Sequence, residues 1–328
     1  MAMSRPGEPT GGAGKPRSTG PAAAPGPRAY GLEPLVLPPR PLPFPDGPAD
    51  RPPAGAPLDT AAEEAAYAGT LDLSDPDHAE RLFWFRWITG HQASFVLWQL
   101  TAAALAEASG ASGKQRPAAV ERAVSFVRGY SALLLYTSSC PADLYHRVIR
   151  PSMVRHHPAM SGSWASDYGS VRSLYSGRDP LLKDECAAGL RREIALNTLV
   201  HEGVAETLVP SGASLFHTSV TQGGPLLESR GTLVTLYDLY FLTLRDAHTS
   251  YESLLAQLEW RLKAICADVT VNTLRPAIDG CEPRTAARLR DPAVVDVEWS
   301  VPAVLRQAMH ASRGPSAVLT GTRVPVSE

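Results

Sequence analysis

Apolar residues recur at threes and fours over long stretches of this chain, and strict alternation of apolar and polar residues is nearly absent. That spacing predicts an all-α protein, because positions three and four apart share one helix face. Ser74 and Asp75 are start signals for a helix running to about Ser109, where SGASGKQRP ends it. A second helix is expected from about Ala118 to Ser138. A third, Ala142 to Val148, is interrupted by Pro151, with Ser152 to His157 as a further turn. Met160 to Asp179 is rich in Gly, Ser and aromatic residues and reads as a structured loop. A fourth long helix spans about Leu182 to Leu208 and stops at Val209-Pro210-Ser211-Gly212. Ala213 to Gly231 reads as loop, and a fifth helix as Thr232 to Ala267, with Leu233, Leu236, Tyr240, Leu244 and Ala247 on one face. Past Asp268 the pattern weakens into short helices and a polar tail.

Composition divides the 328 residues into three parts. Residues 1–57 hold sixteen of the thirty prolines, including LPPRPLPFP at Leu37 to Pro45, and read as a disordered or surface-draped leader. Residues 58–310 are the helical domain, and 311–328 a polar tail. With 31 basic and 33 acidic residues, nothing argues for nucleic acid or an anionic membrane as partner. The apolar runs are too short to cross a bilayer and no signal segment opens the chain. Cys140, Cys186, Cys266 and Cys281 are far apart and form no CxxC pair, which suggests isolated thiols in a reducing cytosol. The expected location is cytoplasmic.

The candidate chemistry sits in the histidines. In FWFRWITGHQASFVLW, His91 follows Gly90 and precedes Ala93 and Ser94, so the helix surface beside it is nearly bare, while Trp87, Ile88, Phe95 and Trp98 flank it at helical spacing. A flat cofactor lying against the backbone is one reading, and a core imidazole bonded to a carbonyl is the other. His201 stands alone on a face formed by Ile194, Asn197, Val204, Ala205 and Leu208, an arrangement that suits an axial ligand in a dry pocket. A zinc-protease HExxH reading fails because residue 205 is alanine. His146, His156 and His157 lie among Arg147, Arg150 and Arg155, which disfavours a bound cation. His217 is a fallback ligand.

Three segments resemble, in order, blocks of the tryptophan 2,3-dioxygenase-like, histidine-ligated haem aromatic oxygenases. FRWITGHQASFVLWQ is similar to the helix FIxxHQxxELWFxQ, whose histidine lies on the distal side of haem. Arg155 followed by SGSWASDYGSVRSL resembles the arginine and loop SGFQSxQFRxxE, and HEGVAETLV resembles the proximal helix HxxMVxRxIG. The GTGGSSG loop of the dioxygenases is absent, with Thr221-Gln222-Gly223-Gly224 as a remnant. These departures bring the chain closer to the bacterial L-tyrosine 3-hydroxylases of antibiotic biosynthesis.

The resemblance implies a helical bundle with haem between helices and His91 as the distal acid–base residue. It implies His201 as iron ligand, with Gly90, Ser94, Val204 and Leu208 around the macrocycle. Arg155, or Arg150, would hold the substrate carboxylate, and Ser161, Trp164, Arg172 and Trp87 would line the substrate pocket. The implied cofactor is haem b, extractable because no cysteine lies close to His201 or His217. The implied reaction converts L-tyrosine to L-DOPA, with hydrogen peroxide or oxygen as oxidant. Relatives of this type assemble as dimers or tetramers, so a homo-oligomer is expected. The competing readings are a haem dioxygenase acting on tryptophan or a substituted tryptophan, and a cofactor-free helical interaction protein.

Overall fold

The computed structural model describes residues 30–45, 71–209, 214–221, 228–278 and 286–313. Its centre is one long helix, α1 (Pro76–Gly110), with Pro76 in its first turn and Asp75 as N-cap accepting from the Asp77 amide. From Leu82 to Ala108 most of its residues are buried, as expected of a helix that is apolar on every side. Helix α2 (Gln115–Thr137) lies along it, and Gly90 allows the close approach. A Cβ at that position would come within 2.3 Å of Thr137 Cγ2.

The third segment is more continuous than its proline suggests. A turn at Ala142–Leu144 runs through a π-helical stretch, Tyr145–Ile149, into α3 (Arg150–His156), and the widened π-turn just before Pro151 accommodates its ring and missing N–H. The expected loop at 160–179 contains a helix. Ser161 caps a 3₁₀ turn at Gly162–Trp164, and α4 (Ser166–Tyr175) follows, burying Val171 and Leu174. Two 3₁₀ turns, Pro180–Lys183 and Glu185–Ala187, precede α5 (Ala188–Leu208). A short helix, α6 (Leu215–Thr221), stands in the segment read as loop.

The expected fifth helix is two helices, α7 (Arg230–Tyr240) and α8 (Tyr251–Asn272). Leu242 adopts a left-handed backbone, φ 52°, and the chain enters strand β2 (Thr243–Arg245). Asp246 then closes a turn onto the His248 amide, and Ser250 caps α8. The apolar period runs across this break, but Leu239, Leu242 and Leu244 are exposed. The fold finishes with α9 (Pro292–Trp299) and α10 (Val301–Ser312), the latter packed on α2 and α8.

Part of the proline-rich leader belongs to the fold. Strand β1 (Leu35–Leu37) pairs in parallel with β2, Leu35 opposite Thr243, and Leu35 and Leu37 are fully buried. Prolines donate no N–H, so the strap is held mainly through its carbonyls. Gln92 and Arg261 bond Glu33 O, Arg261 bonds Pro34 O, Gln257 bonds both polar groups of Val36, and Gln99 bonds Pro38 O. Phe44 stacks on Phe126 under the Arg122 guanidinium.

One buried network ties the strap, α1, α2 and α8 together. Arg86, with no exposed surface, directs all five guanidinium hydrogens to partners: two to Asp268 and one each to Ser139 Oγ, Thr273 O and Leu274 O. Tyr136 donates to Asp268 at 2.8 Å, and Asn272 reaches both Asp268 and Tyr30. No helix among the described residues is long and apolar enough to cross a membrane.

Candidate active site

Spacing of threes and fours puts Trp84, Trp87, His91, Phe95 and Trp98 on one stripe of α1. His91 is partly buried on that stripe, and its Nδ1 lies 2.6 Å from Trp87 O, one turn back. A carbonyl only accepts, so Nδ1 carries the hydrogen and Nε2 the lone pair. Nε2 has no protein partner among the described residues. Burial lowers the His91 pKa to about 4, against the opposing pull of the Trp87 carbonyl, so the ring is neutral at physiological pH.

Rings enclose this imidazole. Phe241 stacks on it at 4.6 Å and 22°, and Trp87 tilts against it at 4.3 Å. Tyr145, on the π-helical turn, packs on Trp87, and its hydroxyl accepts from Arg150, although burial still raises its pKa. Tyr240 packs edge-on to Trp84, donates to Ser152 Oγ at 2.8 Å, and lies within reach of the Arg155 charge. Burial nonetheless pushes its pKa up to about 12. Since Ser152 gives its own hydrogen to Ile149 O, its oxygen is left to accept from Tyr240. The fold thus gathers Trp87, Arg150 and the exposed Arg155 in the neighbourhood of His91. Tyr145, Tyr240 and Phe241 join them, three residues that periodicity alone assigns to ordinary core.

His201 lies elsewhere on the same bundle. It opens onto a cleft of about 450 Å³, walled by Trp98, Tyr130, Tyr168, Tyr175 and Asn197 and rimmed by Ser161, Gly162 and Ser163. His201 is an exposed residue at the cleft mouth, not the ligand of a dry pocket that its apolar helix face suggests; no hydrogen bond of its ring occurs among the described residues, and desolvation by the surrounding protein lowers its pKa despite the neighbouring Glu202. The rim is braced from outside, with Arg172 and Arg230 both donating to Ser163 O, at 3.2 and 3.1 Å. Behind it, Arg245 forks onto Asp167 and Asp238, and Gln99 adds a bond to Asp167.

His91 is not among the residues lining the His201 cleft. The two are linked through α1, where Phe95 touches both His91 and Trp98, and Trp98 forms the cleft wall. Seven residues separate His91 from Trp98, roughly 10 Å along the helix axis.

Several expected contacts fall differently. Gly90 faces α2 instead of an open slot, and Ser94 turns its hydroxyl back to Gly90 O, so the bare patch beside His91 serves helix packing. Trp164 is 2 % exposed and meets the His157 ring edge-on beneath the rim. Leu208 is core and Val204 half-buried, while His217 is exposed on α6. Residues 222–224 of the glycine remnant, and Cys281, lie outside the described residues. No cluster of three metal-binding side chains occurs among the described residues. The unpartnered imidazole of His201, beside the rings of Trp98, Tyr130, Tyr168 and Tyr175, offers a flat macrocycle one nitrogen donor and aromatic faces, in a cleft that Asn197, Thr198 and Glu202 make partly polar.

These features define a helical protein with an aromatic-walled cleft beside one imidazole and a second, partly buried neutral imidazole able to accept a proton. Residues 32–195, half of the chain, match the family described as SfmD 3-methyl-L-tyrosine peroxygenase. The chain belongs to this family of haem-dependent, tyrosine-modifying oxidoreductases of secondary metabolism. The match includes His91, Arg150, Arg155 and the cleft rim and ends six residues before His201. No curated protein matches the chain.

Proposed function

We propose that the enzyme hydroxylates free L-tyrosine ortho to the phenol, giving L-DOPA, with hydrogen peroxide as oxidant and non-covalent haem b as cofactor. The sum is ArH + H₂O₂ → ArOH + H₂O. Bound haem supplies the iron that activates peroxide for insertion of oxygen into the ring. His201 would hold the iron, and Trp98, Tyr130, Tyr168 and Tyr175 would face the macrocycle.

The observation that carries this reading is the locked tautomer of His91 within the family-matched span. A bare Nε2 accepts a proton, so His91 takes the phenolic hydrogen of the substrate, or the peroxide hydrogen, and returns it to the departing water. Arg155, with Arg150 behind it, pairs with the α-carboxylate and aims the ring. Trp87 walls the ring.

Purified protein loaded with hemin should show a Soret band and release its pigment into acid–acetone. L-tyrosine and peroxide should then give catechol product. A colourless protein after hemin loading, or formation of a kynurenine chromophore from tryptophan in place of catechol, would overturn the reading. A parallel assay with 3-methyl-L-tyrosine ranks the two phenols by kcat/KM. His201→Ala should lose pigment, whereas His91→Ala should keep pigment and lose turnover by roughly 10²–10⁴-fold, the usual worth of a positioned proton acceptor.

A further inference from the structure

Phe241 is held from three directions. Its carbonyl accepts from Gln92 Nε2 at 2.9 Å, and the Gln92 side-chain oxygen in turn accepts from Arg261 Nε. Leu242 follows it in the left-handed backbone region, which Leu occupies only under constraint, and this turns the chain sharply out of α7. Tyr237, Tyr240 and Phe95 pack around the ring, which is 1 % exposed. So fixed, it lies nearly parallel to the His91 imidazole, with centroids 4.6 Å apart.

Among the described residues His91 makes one hydrogen bond, to Trp87 O. That one bond fixes the tautomer only while the ring plane is held: a ring that swings about Cβ–Cγ breaks it and frees the hydrogen to sit on either nitrogen, and ring contacts restrain the swing. Trp87 supplies a tilted contact, Phe95 an edge-on one at 6.5 Å, and Phe241 the flat one.

We propose that Phe241 is a positioning residue that fixes the ring plane of His91, and with it the direction of the Nε2 lone pair. The proposal rests on the reading of His91 as the proton acceptor. Phe241 touches neither reactant in this account and acts only through the imidazole. Gln92, next to His91 in sequence, therefore sets the clamp against its own neighbour.

The test uses full-length holoenzyme with ¹⁵N-labelled histidine, in the diamagnetic ferrous carbon-monoxide form, with His91→Gln identifying the His91 resonances. Wild type should show a single Nδ1-protonated tautomer. Phe241→Met, which fills the space without a flat face, should give a mixture of tautomers and lower kcat roughly ten- to hundredfold at unchanged KM, as expected for a misdirected reacting group. Phe241→Tyr should restore both. An unmixed tautomer with wild-type kcat in Phe241→Met would overturn the clamp, as would loss of kcat that Phe241→Tyr does not rescue. If Phe241→Met does not fold, Gln92→Leu releases the Phe241 carbonyl instead and is scored by the same tautomer measurement. Full turnover in His91→Gln would defeat the proton-acceptor reading alone, because the tautomer measurement still reports on the clamp.

Discussion

His91 couples chemistry to stability through one proton. Its pKa is about 4 in the folded chain, against about 6.5 for an unperturbed histidine, so the unfolded chain binds the proton more tightly. The stabilising contribution is complete above pH ~6.5 and is lost as pH falls toward 4, by roughly 2 kcal/mol at pH 5. Urea denaturation at pH 7 and pH 5 should show that His91→Gln loses less stability between the two than wild type, by about that amount. Equal losses would mean that the imidazole is already charged in the native state. The identity of this residue was legible in the sequence, because one polar ring inside FWFRWITGHQASFVLW requires a reason. Its tautomer was not. Only the distance to Trp87 O shows which nitrogen carries the hydrogen.

At the scale of elements, the helices that carry the site were predicted by their caps and periods, while the joints between them were not. Asp75 and Pro76 mark the start of α1 in sequence and in space. The 160–179 segment was harder, because α4 is short and its stability comes from Arg245, 78 residues away, gripping Asp167. Arg245→Met should leave Asp167 and Asp238 buried without their cation and cost about 3–5 kcal/mol, measured by urea denaturation. The same variant should loosen the Ser161–Ser163 rim of the His201 cleft and weaken hemin binding, measured by hemin titration. Gly90→Val should be destabilising by about 1–3 kcal/mol, since its side chain collides with Thr137 and the α1–α2 contact must widen. A melting temperature equal to wild type would show that the interface yields freely.

For the molecule as a whole, the buried Arg86–Asp268 pair joins segments 182 residues apart. Arg86→Met should cost about 3–5 kcal/mol by stranding the Asp268 carboxylate, and adding Asp268→Leu should recover much of that loss. Thermal melting of the single and double variants decides it, and a double variant no more stable than the single would point to the strap contacts instead. Tyr30 enters this network through Asn272, so residues 30–45 are part of the molecular core although their composition resembles a loose leader. Proline content predicts poor ordering when a segment must satisfy itself. It says little when glutamine and arginine side chains from helices accept that task.

The sequence by itself determined the helical class, the extent of α1 and α2, the C-terminal end of α5, and the two histidines worth testing. Those properties depend on neighbours within about one helical turn, where hydrogen bonding and face burial repeat with a fixed period. Tertiary structure alone decided that α7 and α8 are separate, that the strap pairs with β2, and that Phe241 covers His91 from 150 positions down the chain. Contacts of that range follow from how whole helices pack, and packing is a property of shapes and volumes that no local pattern encodes.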